Sequence, residues 1–394
     1  MPPKKAVEEK KILLGRPGNN LKSGIVGLAN VGKSTFFQAI TRCPLGNPAN
    51  YPFATIDPEE ARVIVPSPRF DKLCEMYKPA SEVPAHITVF DIAGLTKGAH
   101  AGEGLGNAFL SNIRAVDAIF QVVRCFDDAE IIHIEGDVDP VRDLQIILDE
   151  LRLKDMEFVL KHLEGVEKIV KRGGQSLEVK QKKEEKAFVE GLYKYLEDGK
   201  RIANGNWTPK EVEIINSMLL LTAKPAIYLI NLSERDYIRK KNKNLIAIKE
   251  WVDANSPGDV IIPFSVSLEE RLSHMETDAE REEELKKLGT TSALPKIIVI
   301  MRKTLHLISY FTCGPDEVRE WTIREGTKAP QAAGVIHNDL MNTFILAQVT
   351  KYNDLVELGD DNAVRAAGKL MQKGKDYVVE DGDVIYFRAG AGKN

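Results

Sequence analysis

Residues 27–34 constrain this chain more than any other segment, because they contain a complete G-x-x-x-x-G-K-[ST] loop, Gly27-Leu-Ala-Asn-Val-Gly-Lys-Ser34. An apolar run suited to a strand precedes this loop, and a run of helical character, 35–40, follows it. Glycines allow a backbone nest whose N–H groups face phosphate oxygens at a helix N-terminus. The segment therefore predicts a nucleotide-binding α/β domain.

The side chains of the loop have separate expected roles. We expect Lys33 to face solvent without a ligand and to act on the β- and γ-phosphates, while the Ser34 hydroxyl ligates Mg²⁺. The residues that we expect to bind the nucleotide here are Asn30, Val31, Gly32, Lys33, Ser34 and Thr35.

A second motif, D-x-x-G, ends an apolar run as Asp91-Ile-Ala-Gly94. In GTPases this Asp supports Mg²⁺ through water, and the Gly N–H contacts the γ-phosphate and so senses its loss. Glycines continue to Gly106, which favours a hinge over a plain flexible loop. Together the two motifs predict a GTPase-like switch with Gly94 among its catalytic residues.

Between these motifs, Thr55 lies in Tyr51-Pro-Phe-Ala-Thr-Ile-Asp-Pro58. A Thr here can close over the nucleotide, with its hydroxyl on Mg²⁺ and its N–H on the γ-phosphate. Taken alone, the segment is equally a turn built on its two prolines. The expected metal ligands are thus Ser34, Thr55 and, through water, Asp91.

Two later strand-like runs end in Asn231-Leu-Ser-Glu234 and Phe264-Ser-Val-Ser267. Their order matches the guanine-recognising N-K-x-D and S-A-K elements, but both are altered. The Asp of N-K-x-D accepts from guanine N1 and N2, whereas Glu234 displaces the carboxylate by one methylene. Leu232 replaces the Lys over the base but keeps a carbonyl for adenine N6. We therefore predict that Asn231, Leu232, Glu234 and Ser265 bind the base, with ATP preferred and GTP incompletely excluded.

Alternating strand-like and helical runs predict an α/β P-loop NTPase of the Ras-like G-domain class over 21–137 and 219–304. Between them, apolar residues spaced by three, four and seven fit one helix face, and glycines interrupt the pattern near 173. This predicts an inserted antiparallel helical hairpin over 138–218, with a helix starting at the capping box Thr208–Glu211. Residues 1–20 predict a flexible tail.

Composition narrows the class further. The 394 residues include 54 basic and 58 acidic side chains, which excludes a surface that is basic throughout. Four cysteines without C-x-x-C spacing predict buried thiols rather than disulfides or zinc. No run approaches the roughly 18 apolar residues of a membrane span, and no signal peptide is evident. We expect a cytoplasmic protein with no membrane partner and no DNA sequence recognition.

Taken in order, these strings resemble Obg-like ATPases of the YchF family, of the eukaryotic type. The resemblance covers nearly the whole chain and rests on residues 27–35, 51–58, 91–99, 104–110, 231–234 and 321–334. It implies ATP hydrolysis rather than GTP use, a cytoplasmic location, and association with ribosomes or translation factors. It also implies a C-terminal TGS domain, a β-grasp module, over 305–390, which ends in two alternating runs around a turn at 377–387.

Departures from the wider GTPase pattern affect the hydrolytic step. Leu95 lies where Ras-like proteins place the water-orienting Gln, so we expect slow hydrolysis. His100 can reach the water, although an exposed loop histidine without a role is an equally good interpretation. Several members of the resembled family carry a His where this chain has Gln121, which can position water but cannot act as a base near neutral pH.

Two further interpretations concern ions and RNA. Asn30 lies where related K⁺-dependent GTPases place a cation ligand, so K⁺ joins Mg²⁺ as an expected ion. Basic stretches at 168–172, 180–186 and 239–243 are solvated helix faces or a salt-sensitive contact to ribosomal RNA. The alternatives to an ATPase switch are an Obg-type GTPase and, with less support from the motifs, a P-loop metabolic kinase or a scaffold.

Overall fold

The structure, a computed structural model, describes residues 14–15, 22–42, 55–57, 60–92, 112–128, 133–173 and 176–390. Within that part of the chain, one compact unit consists of residues 14–15, 23–37, 91–92, 112–128, 133–173 and 176–271. The second consists of residues 22, 38–42, 55–57, 60–90 and 272–390. Most of the predicted tail and the glycine-rich segment 94–106 lie outside the described residues.

The strands are β1 (Lys22–Val26), β2 (Thr55–Asp57), β3 (Glu60–Ile64), β4 (Ser81–Val83), β5 (His86–Asp91), β6 (Ala118–Arg124), β7 (Ala226–Asn231), β8 (Val260–Phe264), β9 (Leu307–Cys313), β10 (Glu317–Arg324), β11 (Phe344–Lys351), β12 (Met371–Lys373) and β13 (Asp383–Ala389). The helices are α1 (Lys33–Arg42), α2 (Pro68–Tyr77), α3 (Pro140–Lys171), α4 (Leu177–Glu197), α5 (Pro209–Met218), α6 (Glu234–Arg239), α7 (Leu245–Asn255), α8 (Val266–Ser273), α9 (Asp278–Leu288), α10 (Leu294–Thr304), α11 (Ala329–Ile336), α12 (Asn338–Asn342), α13 (Tyr352–Leu358) and α14 (Asp361–Ala366). Among the described helices, none combines the length and the apolar character that crossing a membrane requires.

The first unit contains parallel strands in the order β1-β6-β7-β8. Strands β6 and β7 are buried along their whole length, as their near-continuous apolar sequences predict for strands covered on both faces. Phe36 of α1 packs edge-on against Phe120 and Phe264, with ring centroids 5.9 and 5.4 Å apart. Because the strands are parallel, the loops that follow them meet at one edge of the sheet.

Helices α3 and α4 form an antiparallel hairpin, which we call the arm. Asp139 caps the N-terminus of α3, and Ser176 caps that of α4. Two pairs between the helices run in opposite directions along the chain: Arg152 contacts the carbonyl of Leu196, and the later His162 contacts the earlier Glu185. The predicted helical hairpin is therefore present, and α5 starts at the capping box of Thr208 and Glu211 as predicted.

The arm is joined to the sheet through Asp155, near the middle of α3. Its buried carboxylate accepts hydrogen bonds from the Leu221 N–H at 2.7 Å and from the Thr222 N–H and hydroxyl at 2.8 and 2.6 Å. Burial raises the pKa of Asp155 to about 6, and these hydrogen bonds oppose that rise. This contact fixes α3 against the segment that leads into β7.

A second contact joins the arm to the segment that leads into β6. The buried Lys224 ammonium donates to the carbonyls of Val116, at 2.5 Å, and Arg114, at 3.3 Å. The Arg114 guanidinium lies 4.7 Å from the ring centroid of Phe158 in α3 and donates to the carbonyl of Met218. We call the contacts of Asp155, Lys224 and Arg114 the arm root.

The second unit contains a mixed sheet in the order β12-β11-β13-β9-β10-β4. One face packs on α11, where Ala332 and Tyr310 belong to the same buried cluster. The other packs on α2, where Phe70 joins Phe311 and Val384. Strands β2, β3 and β5 of this unit pair antiparallel.

Residues 68–83 belong to the C-terminal sheet rather than lying apart from it. Strand β4 pairs parallel with β10, so that Val83 lies beside Arg319, and α2 contributes to the same core. The short sequence Ser81-Glu-Val83 carries no alternating pattern of apolar and polar residues, so this strand could not be predicted from the sequence. The domain limits drawn from the sequence stay a prediction.

The two alternating runs expected over 377–387 do not both become strands. Only the second run forms β13, whereas Val378 makes an isolated bridge with Lys328. The buried Asp383 carboxylate accepts from the Tyr377 hydroxyl at 2.7 Å and from the Glu380 N–H at 2.9 Å. These bonds hold a turn that directs the first run towards the start of α11.

Candidate functional site

A cleft of about 460 Å³ lies at the carboxyl edge of the parallel strands of the first unit. The loops after β1, β6, β7 and β8 contribute to it, which is the position where open α/β sheets bind ligands. Its lining residues are Asn30, Gly32, Thr35, Phe126, Asp127, Asp128, Ser233, Glu234, Val266, Ser267 and Glu270.

The backbone of the phosphate loop requires glycine at two of its positions. Gly32 has φ +97°, and a Cβ there would lie 2.7 Å from the amide nitrogen of Asn231. At Gly27 a Cβ would lie 2.6 Å from the carbonyl oxygen of Val122. Asn30 adopts φ 60°, a conformation that Asn tolerates better than most residues. The first and sixth positions of the motif are therefore glycine for steric reasons.

Lys33 does not face solvent, so that expectation was wrong. Its side chain is 7% exposed, and Nζ donates to the carbonyl of Leu28, inside the loop, at 2.6 Å. Burial lowers the pKa of Lys33 to about 8, while the charge of Asp91 opposes this effect. The loop thus supplies a hydrogen-bond acceptor to its own lysine.

Asn231 connects three of the loops at the cleft. Its Nδ2 donates to the carbonyl of Val31 at 3.0 Å, and its Oδ1 accepts from the Val266 N–H at 3.0 Å. The side chain is fully buried. This amide therefore fixes the phosphate loop against the loop after β8, in addition to any contact with a base.

The two other residues of the altered N-K-x-D element face different surroundings. Leu232 is buried in an apolar cluster with Val123 and Ile230, and its N–H donates to the carbonyl of Phe264. Glu234 lines the cleft as the first residue of α6. Ser265, after β8, is fully buried.

The predicted metal ligands are only partly described. Ser34 lies exposed in the first turn of α1. One carboxylate oxygen of Asp91, Oδ1, is buried and has no hydrogen-bond partner among the described residues. Thr55 belongs to β2, but its side chain lies outside the described part. This orphaned carboxylate oxygen is the kind of hard oxygen ligand that Mg²⁺ takes, so the residues present fit the expected ion.

The candidate catalytic residues are also described unevenly. Gln121 is buried in β6, and its Nε2 has no partner among the described residues. Gly94 and His100 lie outside those residues. Their roles in hydrolysis stay predictions.

Sequence reasoning missed the segment after β6. Arg124 is 1% exposed and donates to the carbonyls of Phe126, at 3.2 Å, and Asp128, at 3.3 Å. It thereby holds Phe126 and Asp127 at the cleft. No motif marks this segment, although its place directly after an apolar strand was a usable signal.

Comparison with known proteins agrees with this geometry. The family model described as "50S ribosome-binding GTPase" matches residues 22–162, and the YchF-GTPase C-terminal family, described as a protein of unknown function, matches residues 307–390.

A solved structure of the Schizosaccharomyces pombe YchF GTPase has 65% identity and a TM-score of 0.89 over 96% of this chain and 100% of that chain. A GTP-binding protein from Pyrococcus horikoshii, at 17% identity, with a TM-score of 0.56 over 94% of this chain and 100% of its own, shares the fold. Fold and site together define a nucleotide hydrolase of the P-loop GTPase class with a C-terminal YchF domain.

The similarity to curated proteins is closer still. "Obg-like ATPase 1" of Saccharomyces cerevisiae is 82% identical over the full length of both chains. The human protein of that name is 53% identical over 98% of each. This chain belongs to the Obg-like ATPase family, also called YchF.

Proposed function

We propose that this protein is an Mg²⁺-dependent molecular switch that converts ATP to ADP and phosphate and acts with ribosomes or translation factors. One observation carries the nucleotide part. The phosphate-loop motif is complete and Asn231, at the end of β7, donates to it, whereas the position whose Asp accepts from guanine in GTPases carries Glu234. The relatives' names differ on the nucleotide, since one is called an ATPase and another a GTPase.

The phosphate end supplies the general chemistry. When phosphates enter, the Lys33 ammonium exchanges the Leu28 carbonyl for phosphate oxygens, and the loop N–H groups donate to further phosphate oxygens. Ser34, Thr55 and, through water, Asp91 would hold Mg²⁺. When bound, that ion neutralises charge on the β- and γ-phosphate oxygens. Asn30 is the proposed ligand of a K⁺ ion.

The rate of hydrolysis should be low because Leu95 cannot orient water. His100 and Gln121 are the proposed groups that position it, with Gly94 sensing the γ-phosphate. A His100→Ala variant that loses most of its turnover at unchanged ATP affinity supports the first, and the same result in Gln121→Ala supports the second. If neither variant is slower than the parent, another group positions the water.

A competition experiment tests the nucleotide. ATP and GTP are titrated separately into the purified full chain with Mg²⁺, and phosphate release is measured for each. We expect tighter binding and faster release with ATP. Tighter binding of GTP would instead favour the Obg-type GTPase, and ADP production that depends on an added small acceptor would favour a P-loop kinase.

The ribosomal part of the proposal is supported by the family description and by the arm. Its lysines are partly neutralised, since Lys186 pairs with Glu167 and Lys182 with Glu185. Lys180 and Lys183 remain solvent-exposed on α4. A phosphate contact through such exposed lysines is electrostatic and weakens with salt.

Charge reversal tests this contact better than truncation. Removing residues after 304 would uncover the apolar face of α2, which packs on the C-terminal sheet. We expect the double variant Lys180→Glu with Lys183→Glu to co-sediment less with ribosomes and to lose part of the salt dependence. The control is Lys249→Glu on α7, where the lysine pairs with Asp253. Equal loss in both variants, or loss in neither, would place the contact elsewhere.

A further inference from the structure

The carboxylate at the base-recognition position is held by an arginine from helix α8. Nη2 of Arg271 donates to Oε1 of Glu234 at 2.5 Å. Glu234 lines the same cleft as Asn30 and Gly32 of the phosphate loop. Both side chains are partly accessible, 40% for Arg271 and 32% for Glu234. The ion pair therefore lies at the rim of the nucleotide cleft and not in the core.

This pairing changes what Glu234 can offer to a purine. Guanine presents two donors on one edge, and a carboxylate accepts both when its two oxygens are available. Arg271 occupies Oε1, so guanine has to displace the guanidinium before it can make both bonds. Adenine presents an acceptor, N1, on that edge, which an unpaired carboxylate would repel. A neutralised carboxylate repels adenine less.

Resting on the proposed preference for ATP, we propose that Arg271 is a specificity-determining residue. It acts through Glu234 by holding the carboxylate away from guanine and by cancelling its charge beside adenine. The Glu that replaces the Asp of N-K-x-D and the arginine in α8 therefore act together. The longer side chain is what brings the carboxylate to a partner that lies outside the N-x-x-E element.

A double-mutant cycle isolates this effect. ATP and GTP affinities are measured by titration calorimetry, with Mg²⁺, for the parent, Arg271→Ala, Glu234→Ala and the double variant. We expect Arg271→Ala to raise the ratio of GTP to ATP affinity by about two- to fivefold, the range for a partly exposed ion pair. In the Glu234→Ala background the same change should leave the ratio constant. Arg271→Lys should retain most of the parental ratio, because the charge remains.

The control is an arginine with a similar pair outside the cleft. Nη2 of Arg69 contacts Asp381 at 2.8 Å, and 35% of the Arg69 side chain is accessible. Arg69→Ala should leave the affinity ratio unchanged. An unchanged ratio in Arg271→Ala, or an equal shift with and without Glu234, overturns the role of Arg271. Tighter binding of GTP by the parent chain contradicts the proposed function instead, so the two failures are distinguishable.

Discussion

The phosphate end and the base end of the cleft are built in different ways. At the phosphate end, Lys33 and Asn231 are buried, and steric contacts exclude any Cβ at Gly27 and Gly32. At the base end, Glu234 makes a partly exposed ion pair with Arg271. The first end is set by backbone shape and buried hydrogen bonds, and the second by side chains that solvent can reach.

This difference separates two kinds of mutational effect. A change at the phosphate end should weaken every nucleoside triphosphate alike, because the phosphates are common to all of them. A change at the base end should alter the ratio of GTP affinity to ATP affinity. It should leave the contribution of the phosphates to binding nearly constant. A buried polar group left unpaired also costs more than an exposed ion pair.

The largest expected effect is at Lys33. Lys33→Ala should slow phosphate release from both ATP and GTP by about 10²–10³-fold, since it removes the charge that stabilises the transferring phosphoryl group. Circular dichroism should show the parental fold, because the variant loses only a bond to the Leu28 carbonyl. Parental turnover in this variant would remove the phosphate loop from the mechanism.

Asn231→Ala should come next. It leaves the Val31 carbonyl and the Val266 N–H buried without their partner, at a cost of about 1–3 kcal/mol each. We expect roughly 10–100-fold weaker binding of both nucleotides in equilibrium titration, together with a lower melting temperature. Asn255→Ala, which removes an amide contact within α7, is the control. A change confined to the ratio of ATP to GTP would contradict the comparison between the two ends.

The pH dependence of binding between pH 7 and 9 should report on Lys33. Its pKa of about 8 leaves it mostly charged at pH 7 and mostly neutral at pH 9. Phosphates bind the charged form, so affinity should fall as pH rises through 8, by about tenfold between pH 7 and 9. Calorimetry in buffers of different ionisation enthalpy should detect proton uptake on binding near pH 8. Lys33→Ala should show neither effect, and a parental pH dependence in that variant would assign it to another group.

The smallest expected effect is at Glu234. Glu234→Asp should raise the ratio of GTP to ATP affinity by about two- to fivefold, because the shorter side chain gives up the contact with Arg271. Leu232 has to remain, since a lysine there would place an ammonium in the apolar cluster around it. Competition between labelled ATP and unlabelled GTP measures the ratio. A shift towards ATP would mean that the carboxylate of the parent already serves guanine.

The parts of the site that could be predicted are those encoded by neighbouring residues. The phosphate loop is contiguous, and its glycine, lysine and serine positions are all specified by the motif itself. The arm could be predicted from the spacing of its apolar residues, and the start of α5 could be predicted from its capping box. Contacts between distant residues could not be read in this way. Arg271 lies 37 positions from Glu234, and β4 joins β10 across more than two hundred residues.

The burial of Lys33 was missed for another reason. A lysine at a phosphate loop suggests an exposed charge, but the loop supplies its own acceptor in the Leu28 carbonyl. The competition between that carbonyl and a phosphate depends on geometry that residue types alone do not specify.

The arm root has a mechanical consequence. Helix α3 has 32 residues and is about 48 Å long at 1.5 Å per residue. Asp155, close to its midpoint, anchors this helix to the residues before β7, and the half beyond that anchor packs on α4. Lys224 and Arg114 connect the anchor to the residues just before β6. A sideways load on the tip would therefore arrive as torque on β6, the strand that is followed by Phe126 at the cleft.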